Sequence, residues 1–324
     1  MILKKYRLSL IVFALTFTLL AFVQMKVKRP MILAERFING AGWIEILLIA
    51  IYAAFIINKM KDPLNVPRWR KITWTTFSIV FFSQLIIGLS GSDKFLMTGK
   101  LHLPIPMMIL AGPVYRGQLS VMTILFLSTV VITGPAWCSQ LCYFGAFDNL
   151  ASGGKTSKGI LQHKSAIKYT ILILVITMAI ILRWLKVSML VSTLIAVAFG
   201  VTGILIMIIF SMKMKKMIHC SLYCPIGTIV NTMKYVNPFR MYIDKSCTLC
   251  GQCTKFCKYD ALNLKDIKNS KPAMGCTLCG DCLAGCHHDS IKYKFFHLSP
   301  EQSRNLYLIL TISLHAVCLA LARI

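Results

Sequence analysis

Seven apolar stretches constrain this 324-residue chain more than any other feature of its sequence. A hydrocarbon core of about 30 Å is crossed by about 20 helical residues, and most of the stretches approach that length. Because backbone polar groups find no water inside a bilayer, each crossing is expected to be a helix. With 56% hydrophobic residues, the composition agrees with a multi-pass membrane protein. The stretches are Leu8–Met25, Ala41–Asn58, Ile72–Ser90, Leu119–Thr133, Ile167–Leu185, Met189–Phe210 and Leu306–Leu321.

The charged residues between these stretches predict how the chain is inserted. The 36 Lys and Arg outnumber the 11 Asp and Glu, but they are scattered without a dense basic face, which argues against nucleic-acid binding. Cytoplasmic loops of membrane proteins are rich in Lys and Arg. We therefore expect the N-terminus and the loops after the second, fourth and sixth stretches to lie in the cytoplasm. The supporting residues are Lys4, Lys5, Arg7, Lys59, Lys61, Arg68, Arg70, Lys71, Lys155, Lys158, Lys164, Lys168, Lys213, Lys215 and Lys216. Four residues of the first hairpin disagree, namely Lys26, Lys28, Arg29 and Arg36.

The segment Lys100–Gln118, between the third and fourth stretches, is apolar but too short to cross a bilayer. Its three prolines, Pro104, Pro106 and Pro113, are expected to prevent one regular helix. A re-entrant segment shielded by protein and an ordered outer loop are both compatible with this pattern.

Eight of the 13 cysteines form two runs with the same C-x2-C-x2-C-x3-C spacing. This spacing supplies thiolate ligands to [4Fe–4S] clusters, and in two-motif ferredoxins the fourth cysteine of each run ligates the other cluster. Two zinc ions, each held by four thiolates, are the alternative, although zinc sites usually pair two C-x2-C knuckles at a longer separation. The crossed pattern predicts set one as Cys247, Cys250, Cys253 and Cys286, and set two as Cys276, Cys279, Cys282 and Cys257.

The predicted fold is a membrane α-helical bundle of about seven transmembrane helices with an inserted α+β domain, similar to a two-cluster bacterial ferredoxin. The orientation argument places this domain on the cytoplasmic side of the inner membrane. Lys258 stands where bacterial ferredoxins usually have proline, and its charge is expected to raise the potential of a neighbouring cluster. The predicted boundaries are 1–211 for the polytopic membrane domain, 212–300 for the cytoplasmic segment and 301–324 for the C-terminal transmembrane helix.

Four further cysteines form two C-S-x-x-C pairs, and each pair is followed by a hydrophobic residue, a glycine and a small residue. Each pair follows an apolar stretch, so the repeat suggests a pseudo-two-fold arrangement that brings four thiols together. Three interpretations stay open: a third iron–sulfur cluster, a redox-active or metal-relaying cysteine group, and small buried residues at helix ends. The paired cysteines are Cys138, Cys142, Cys220 and Cys224.

The combination of these motifs resembles the NapH/NosR-type membrane polyferredoxins. The likeness is carried by Gly134–Gly145, Cys220–Gly227 and Cys247–Cys286, within residues 119–290. The resemblance implies electron transfer between the quinone pool and oxidoreductases or maturation systems. Two features depart from the family. Tyr143 follows the first pair where proline is usual, and no large extracytoplasmic flavin-binding domain precedes the spans, so a flavin input of the NosR type is not expected.

These observations predict a membrane-bound iron–sulfur electron-transfer protein, an electron-transfer subunit for which no catalytic residue is assigned. It is expected to carry two [4Fe–4S] clusters, and a third if the paired cysteines bind one. Its expected partners are the quinone pool, partner oxidoreductase subunits and a soluble acidic redox protein, which a basic surface would attract. The alternative is a redox assembly or maturation factor that reduces or delivers a metal or cofactor for another enzyme.

Overall fold

The computed structural model describes residues 2–95, 105–153 and 159–321, and these are mostly helical. The chain forms two compact units, which we call the first unit (Met1–Leu103 with Leu298–Ile324) and the second unit (Pro104–His297). The domain boundaries drawn from the sequence stay a prediction. The helices are α1 (Ile2–Lys26), α2 (Leu33–Phe37), α3 (Gly42–Met60), α4 (Val66–Leu89), α5 (Pro106–Arg116), α6 (Val121–Thr133), α7 (Tyr143–Ala151), α8 (Lys164–Trp184), α9 (Met189–Ile206), α10 (Met212–Met214), α11 (Pro225–Met233), α12 (Leu264–Lys268) and α13 (Pro300–Leu321).

Among the described residues, seven helical segments are apolar and long enough to cross a membrane. They correspond one to one to the stretches seen in the sequence, so the prediction of seven candidate spans is confirmed. Their surfaces carry large apolar side chains, such as Ile173, Leu190 and Leu194, with exposures of 63%, 71% and 57%. Such a surface suits lipid rather than water. The segments are Tyr6–Lys26, Gly42–Met60, Pro63–Leu89, Met122–Leu141, Lys164–Trp184, Met189–Met214 and Pro300–Leu321.

Helices α1, α3 and α13 pack against one another in the first unit. Val12, Ile56 and Ile312 contribute to the apolar core of this unit. His315, a buried residue of α13, has its Nε2 atom 3.1 Å from the hydroxyl oxygen of Tyr52 on α3. This contact gives the in-span histidine a structural partner between two packed helices.

Two of the basic residues that the orientation argument assigned to loops are buried inside helices instead. Arg70 belongs to α4, is 1% exposed, and has its guanidinium carbon 5.1 Å from the ring centroid of Trp74. Lys168 belongs to the second turn of α8 and is 9% exposed. Packing, which a count of charges does not consider, determines where these two side chains lie.

Helix α5 packs against α6, α8, α9 and α11 in the second unit. The expectation that prolines prevent a regular helix here is wrong for Pro106–Arg116. Pro106 takes the first helical position, where its missing N–H needs no partner. Pro113 lies inside the helix, and the Ile109 carbonyl oxygen that its missing N–H leaves free accepts a hydrogen bond from the Thr123 hydroxyl at 3.0 Å. Residues 100–104 of the predicted segment lie outside the described residues.

The segment with the two cysteine runs combines short helical turns with a small sheet. Strands β1 (Arg240–Ile243) and β2 (Ile291–Lys294) pair in an antiparallel ladder. Helix α12 begins at a capping box, in which the side chains of Asn263 and Asp266 bond to each other's backbone N–H. Each run contains one 3-10 turn, and the two turns pack against each other. The two runs are therefore held side by side in one small α+β segment.

Candidate metal centres

The two crossed cysteine sets each surround their own void. All four residues of set one line one void, and all four residues of set two line another. In each void the fourth cysteine comes from the other run, namely Cys286 in set one and Cys257 in set two. The side-by-side packing of the two 3-10 turns makes this exchange possible. The structure thus brings the residues of each predicted set together, and cluster ligation by them stays a prediction.

A backbone hydrogen bond points at the sulfur of the fourth cysteine in both runs. The N–H of Ala261 donates to Cys257 Sγ at 3.2 Å, and the N–H of Ser290 donates to Cys286 Sγ at 3.2 Å. Both donors are the small residues that lie four positions after the fourth cysteine. Hydrogen bonds to ligand sulfurs are among the features that tune the potential of an iron–sulfur cluster.

One glycine in each run allows the backbone to turn tightly around the void of that run. Gly251 and Gly280 have φ values of 70° and 82°, in the left-handed region that residues with a Cβ rarely adopt. Each directly follows the second cysteine of its run and precedes the 3-10 turn. Glycine at these positions lets the backbone reverse where the cysteines must converge.

The paired cysteines lie in two copies of the same backbone motif. The first cysteine of each pair, Cys138 or Cys220, lies in a π-helical turn. The second, Cys142 or Cys224, closes the turn by donating its N–H to the carbonyl oxygen five residues earlier, at 2.9 Å in both copies. It also directly precedes a helix, α7 or α11. Single π-helical turns are frequent at functional sites, and helix N-termini favour negatively charged groups.

The two π-helical turns bring the paired cysteines into one group, which we call set three: Cys138, Cys142, Cys220 and Cys224. The thiols are close enough to interact electrostatically with one another. Burial raises the pKa of Cys142 to about 12 and also raises the pKa values of Cys220 and Cys224. Free thiols are therefore protonated at neutral pH, and a metal must displace the protons. Four neighbouring cysteine sulfurs, none of them exposed, are the donor set that a [4Fe–4S] cluster requires.

A buried carboxylate connects the two halves of set three. Asp148 on α7 is 0% exposed, and its Oδ2 accepts a hydrogen bond from the N–H of Cys220 at 2.9 Å. Burial raises the pKa of Asp148 to about 6, although its hydrogen bonds act in the opposite direction. Lys258 lies on the same side, with its Nζ 3.4 Å from the carbonyl oxygen of Asn149. The charge of Lys258 thus points towards α7, beside set three.

Hydrogen bonds also join set three to set two. The hydroxyl of Tyr259 donates to the carbonyl oxygen of Cys138 at 2.7 Å. The serines of the two C-S-x-x-C repeats make the other contacts: Ser139 donates to the carbonyl oxygen of Thr277 at 3.3 Å, and Ser221 donates to that of Tyr259 at 3.4 Å. Tyr259 lies two residues after a cysteine of set two, and Thr277 directly follows another. Both halves of set three are therefore fastened to the loops of set two.

The three sets differ in their exposure to solvent. Cys250 of set one is exposed, whereas no cysteine of set two or set three is exposed, all of them being described residues. Set two is joined to set one by the packing of the two 3-10 turns. It is joined to set three by the hydrogen bonds of Tyr259 and Ser139. The order is therefore set three, set two, set one, from the candidate spans towards the accessible surface.

An ionic group fastens the loop of set two to the membrane part of the second unit. The carboxylate of Asp260 is 4% exposed and forms ion pairs with Lys216 and Lys164, the latter at 2.8 Å. It also accepts a hydrogen bond from the N–H of Leu161 at 2.9 Å. Burial by itself would raise the pKa of Asp260, but the hydrogen bonds from the two lysines outweigh it and hold the pKa below its ordinary value. The carboxylate therefore stays ionised at neutral pH and holds three chain segments together.

Sequence reasoning assigned no site role to several residues that shape these sites. Asp148, Tyr259 and Asp260 come soon after cysteine motifs, and only the repeated serines belonged to the pattern that drew attention to the pairs. Their positions close to cysteine motifs were the one signal in the sequence that could have pointed to them. The residues that they contact are distant in sequence, so those contacts could not be predicted. Within the part of the chain that the structure describes, no group of three or more His, Cys, Asp or Glu side chains is spaced to hold a single metal ion.

Comparison with known proteins finds one family. The family model of a 4Fe-4S binding domain matches residues 118–164 and 187–240. Each matched segment contains one C-S-x-x-C pair, and the eight cysteines of set one and set two lie outside both. No curated protein and no solved structure matches the chain. The family match and the seven candidate spans fit a membrane iron–sulfur protein, and a 4Fe-4S binding domain implies iron–sulfur electron transfer.

Proposed function

We propose that this chain is a membrane-bound electron-transfer protein of the NapH/NosR type, in which set one, set two and set three each hold a [4Fe–4S] cluster. Such clusters supply reversible one-electron transfer when bound. The observation that carries the proposal is the convergence of three four-cysteine sets within one compact unit, with Tyr259 and Ser139 bridging two of them. The chain's own part is to hold the sets at fixed separations and in a fixed order.

The surface around set one supports a soluble acidic partner. Cys250 is exposed there, as are Lys245, just before the first run, and Lys255, within it. Basic surface residues attract acidic partners and speed their association at low ionic strength. The partner is proposed to meet the protein on the cytoplasmic side, as the loop charges suggest. A ferredoxin-like segment digested by protease in right-side-out vesicles, rather than in inverted ones, would overturn this orientation.

The first test is the iron and acid-labile sulfide content of anaerobically purified protein. About twelve of each per chain are expected, and Cys138→Ala or Cys220→Ala should lose about four of each, because one cluster needs all four thiolates of its set. Cys318→Ala is the control and should lose none, since Cys318 lies in α13, outside the three sets. About eight irons in the unmodified chain would refute a cluster in set three. Zinc in place of iron would overturn the whole proposal.

A mostly apolar cavity of about 340 Å³ beside set three supports a quinone as the membrane carrier. It lies between α5, α8 and α9, and Tyr223, the residue directly before Cys224, forms part of its wall. The Tyr223 ring stacks on Phe199 with 4.3 Å between ring centroids, and its hydroxyl donates to the Phe199 carbonyl oxygen at 3.1 Å. Ligand sites are typically apolar cavities with a few polar groups. A quinone, with an apolar body and two carbonyl oxygens, has matching chemistry.

Filling this cavity should block the quinone. Ala196→Phe is expected to slow reduction by a quinol analogue by about tenfold or more, the factor that corresponds to about 1.4 kcal/mol of lost binding. Ala196 is 4% exposed and lines the cavity, whereas Leu194 on the same helix is 57% exposed, so Leu194→Phe is the matched control. Stopped-flow absorbance under anaerobic conditions measures the rate, and dithionite should reduce both variants normally.

Equal slowing in both variants, or in neither, would contradict the assignment of the cavity to a quinone. Unmodified protein that contains all its iron but does not react with quinol would favour the maturation-factor alternative over the quinone relay.

A further inference from the structure

A second cavity, of about 280 Å³, lies between set three and the loop that begins the second cysteine run. Cys138 and Cys220 form part of its wall, together with Lys168 and Thr277. Lys168 is 9% exposed. Among the residues that the structure describes, its ammonium group has no hydrogen-bond or ion-pair partner. A lysine inside a candidate span thus lines the same cavity as two cysteines of set three.

An ionisable residue within a membrane span is by default a functional candidate. The neighbouring Lys164 pairs with Asp260 at 2.8 Å, and its charge is thereby compensated. The electrostatic partners that oppose the charge of Lys168 are the sulfurs of set three, in particular Cys138, Cys220 and Cys224. Thiolates in set three would therefore be the negative charges that face Lys168 across this cavity.

We propose that Lys168 is the counter-charge of set three and raises the reduction potential of the cluster bound there. This inference rests on the proposed function, because it requires a cluster in set three. Reduction by one electron adds one negative charge at the cysteine set, and no proton or covalent bond changes at Lys168. A fixed ammonium group in a medium of low dielectric constant stabilises the extra negative charge. Lys168 does not ligate the cluster, because the ligand atoms are the four sulfurs. It is a positioning residue that acts through the electric field of its ammonium group.

Lys234 provides a matched comparison at set two. It is 8% exposed, its Nζ donates to the carbonyl oxygen of Met274 at 3.0 Å, and the thiol with which it interacts is Cys276. Removing this charge should change the potential at set two in the same direction. The two lysines are equally buried but face different sets, so each variant is the control for the other.

The test is a redox titration of the full chain in detergent, followed by electron paramagnetic resonance under anaerobic conditions. The signal of set three is identified as the one that Cys138→Ala removes. Lys168→Met should shift the midpoint potential of that signal to a more negative value and leave the other two signals unchanged. Lys168→Arg should stay close to the unmodified protein because the charge is kept. Lys234→Met should shift the signal of set two alone.

Two results would overturn the proposal in distinguishable ways. About twelve irons per chain with an unchanged set-three potential in Lys168→Met would refute the role of Lys168 and leave the proposed function standing. About eight irons in the unmodified chain would refute the cluster in set three, and with it the role of Lys168. If Lys168→Met does not accumulate, Lys168→Gln removes the charge with a polar side chain, and the same criteria apply to it.

Discussion

Replacing Cys257 with alanine is expected to remove about four irons per chain from set two and to leave set one loaded. Ligation within each run would instead place Cys257 in set one, because Cys257 ends the run that supplies the other three residues of that set. The reason lies in the packing of the two 3-10 turns, which places Cys257 on the wall of the void of set two. By the same argument, Cys286→Ala should empty set one. Iron and acid-labile sulfide per chain, with electron paramagnetic resonance of the reduced protein, measure both losses.

Double replacements separate crossed ligation from ligation within each run. Cys257→Ala combined with Cys279→Ala should lose only about four irons, because both residues serve set two. Cys257→Ala combined with Cys250→Ala should lose about eight, because the two residues serve different sets. Ligation within each run would give the reverse pair of results. The two double variants remove the same number of thiols, so each controls for the general effect of losing two cysteines.

The features that sequence analysis predicted well are those fixed by local or one-dimensional rules. The thickness of a bilayer sets the length of a span, so the seven candidate spans could be read from hydropathy alone. The C-S-x-x-C repeat suggested that two similar segments carry their cysteines to one place. In the structure Cys138 and Cys220 each lie in a π-helical turn of the same kind. The four paired cysteines come together in one group. The repeat in the sequence was enough to predict this convergence, because both copies of the repeat have the same local fold.

The features that sequence analysis missed depend on contacts between distant residues. Lys216 and Lys168 looked like loop charges that set membrane orientation, since each lies near the end of an apolar stretch. In the structure Lys216 is buried and pairs with Asp260, 44 residues further along the chain. Lys168 is buried and lines a cavity together with Cys138 and Cys220 of set three. A count of charges cannot distinguish an orienting lysine from a buried one, because the difference arises only from packing.

The internal symmetry of the two cysteine runs provides a comparison for the ionic group at Asp260. Asp260 and Asp289 each lie three residues after the fourth cysteine of their run, and both have left-handed backbone, with φ values of 53° and 46°. Their surroundings differ. Asp260 is 4% exposed and pairs with two lysines, whereas the Asp289 side chain is 75% exposed and pairs with Lys292 at the surface. The two aspartates thus share a backbone conformation and differ in burial.

Asp260→Asn is expected to lower the free energy of unfolding by about 3–5 kcal/mol, because it leaves the buried Lys216 without its full counter-charge. Asp289→Asn should change it by about 0–1 kcal/mol, as for other exposed ion pairs. Asparagine accepts left-handed backbone as readily as aspartate, so the comparison isolates the charge. Anaerobic denaturation in detergent, followed by tryptophan fluorescence, measures both values. Equal losses in the two variants would refute the importance of the buried ion pairs.

Combining Asp260→Asn with Lys216→Met should lower the free energy of unfolding by less than the sum of the two single losses. Lys216→Met alone leaves the carboxylate of Asp260 with Lys164 as its remaining ion-pair partner, at 2.8 Å, so its cost should be smaller than that of Asp260→Asn. In the double variant no unpaired charge remains between these two positions, and part of the stability should return. Strictly additive losses would instead mean that each residue stabilises the protein through separate contacts. In that case the carboxylate would not be the link between the loop of set two and the residues before set three.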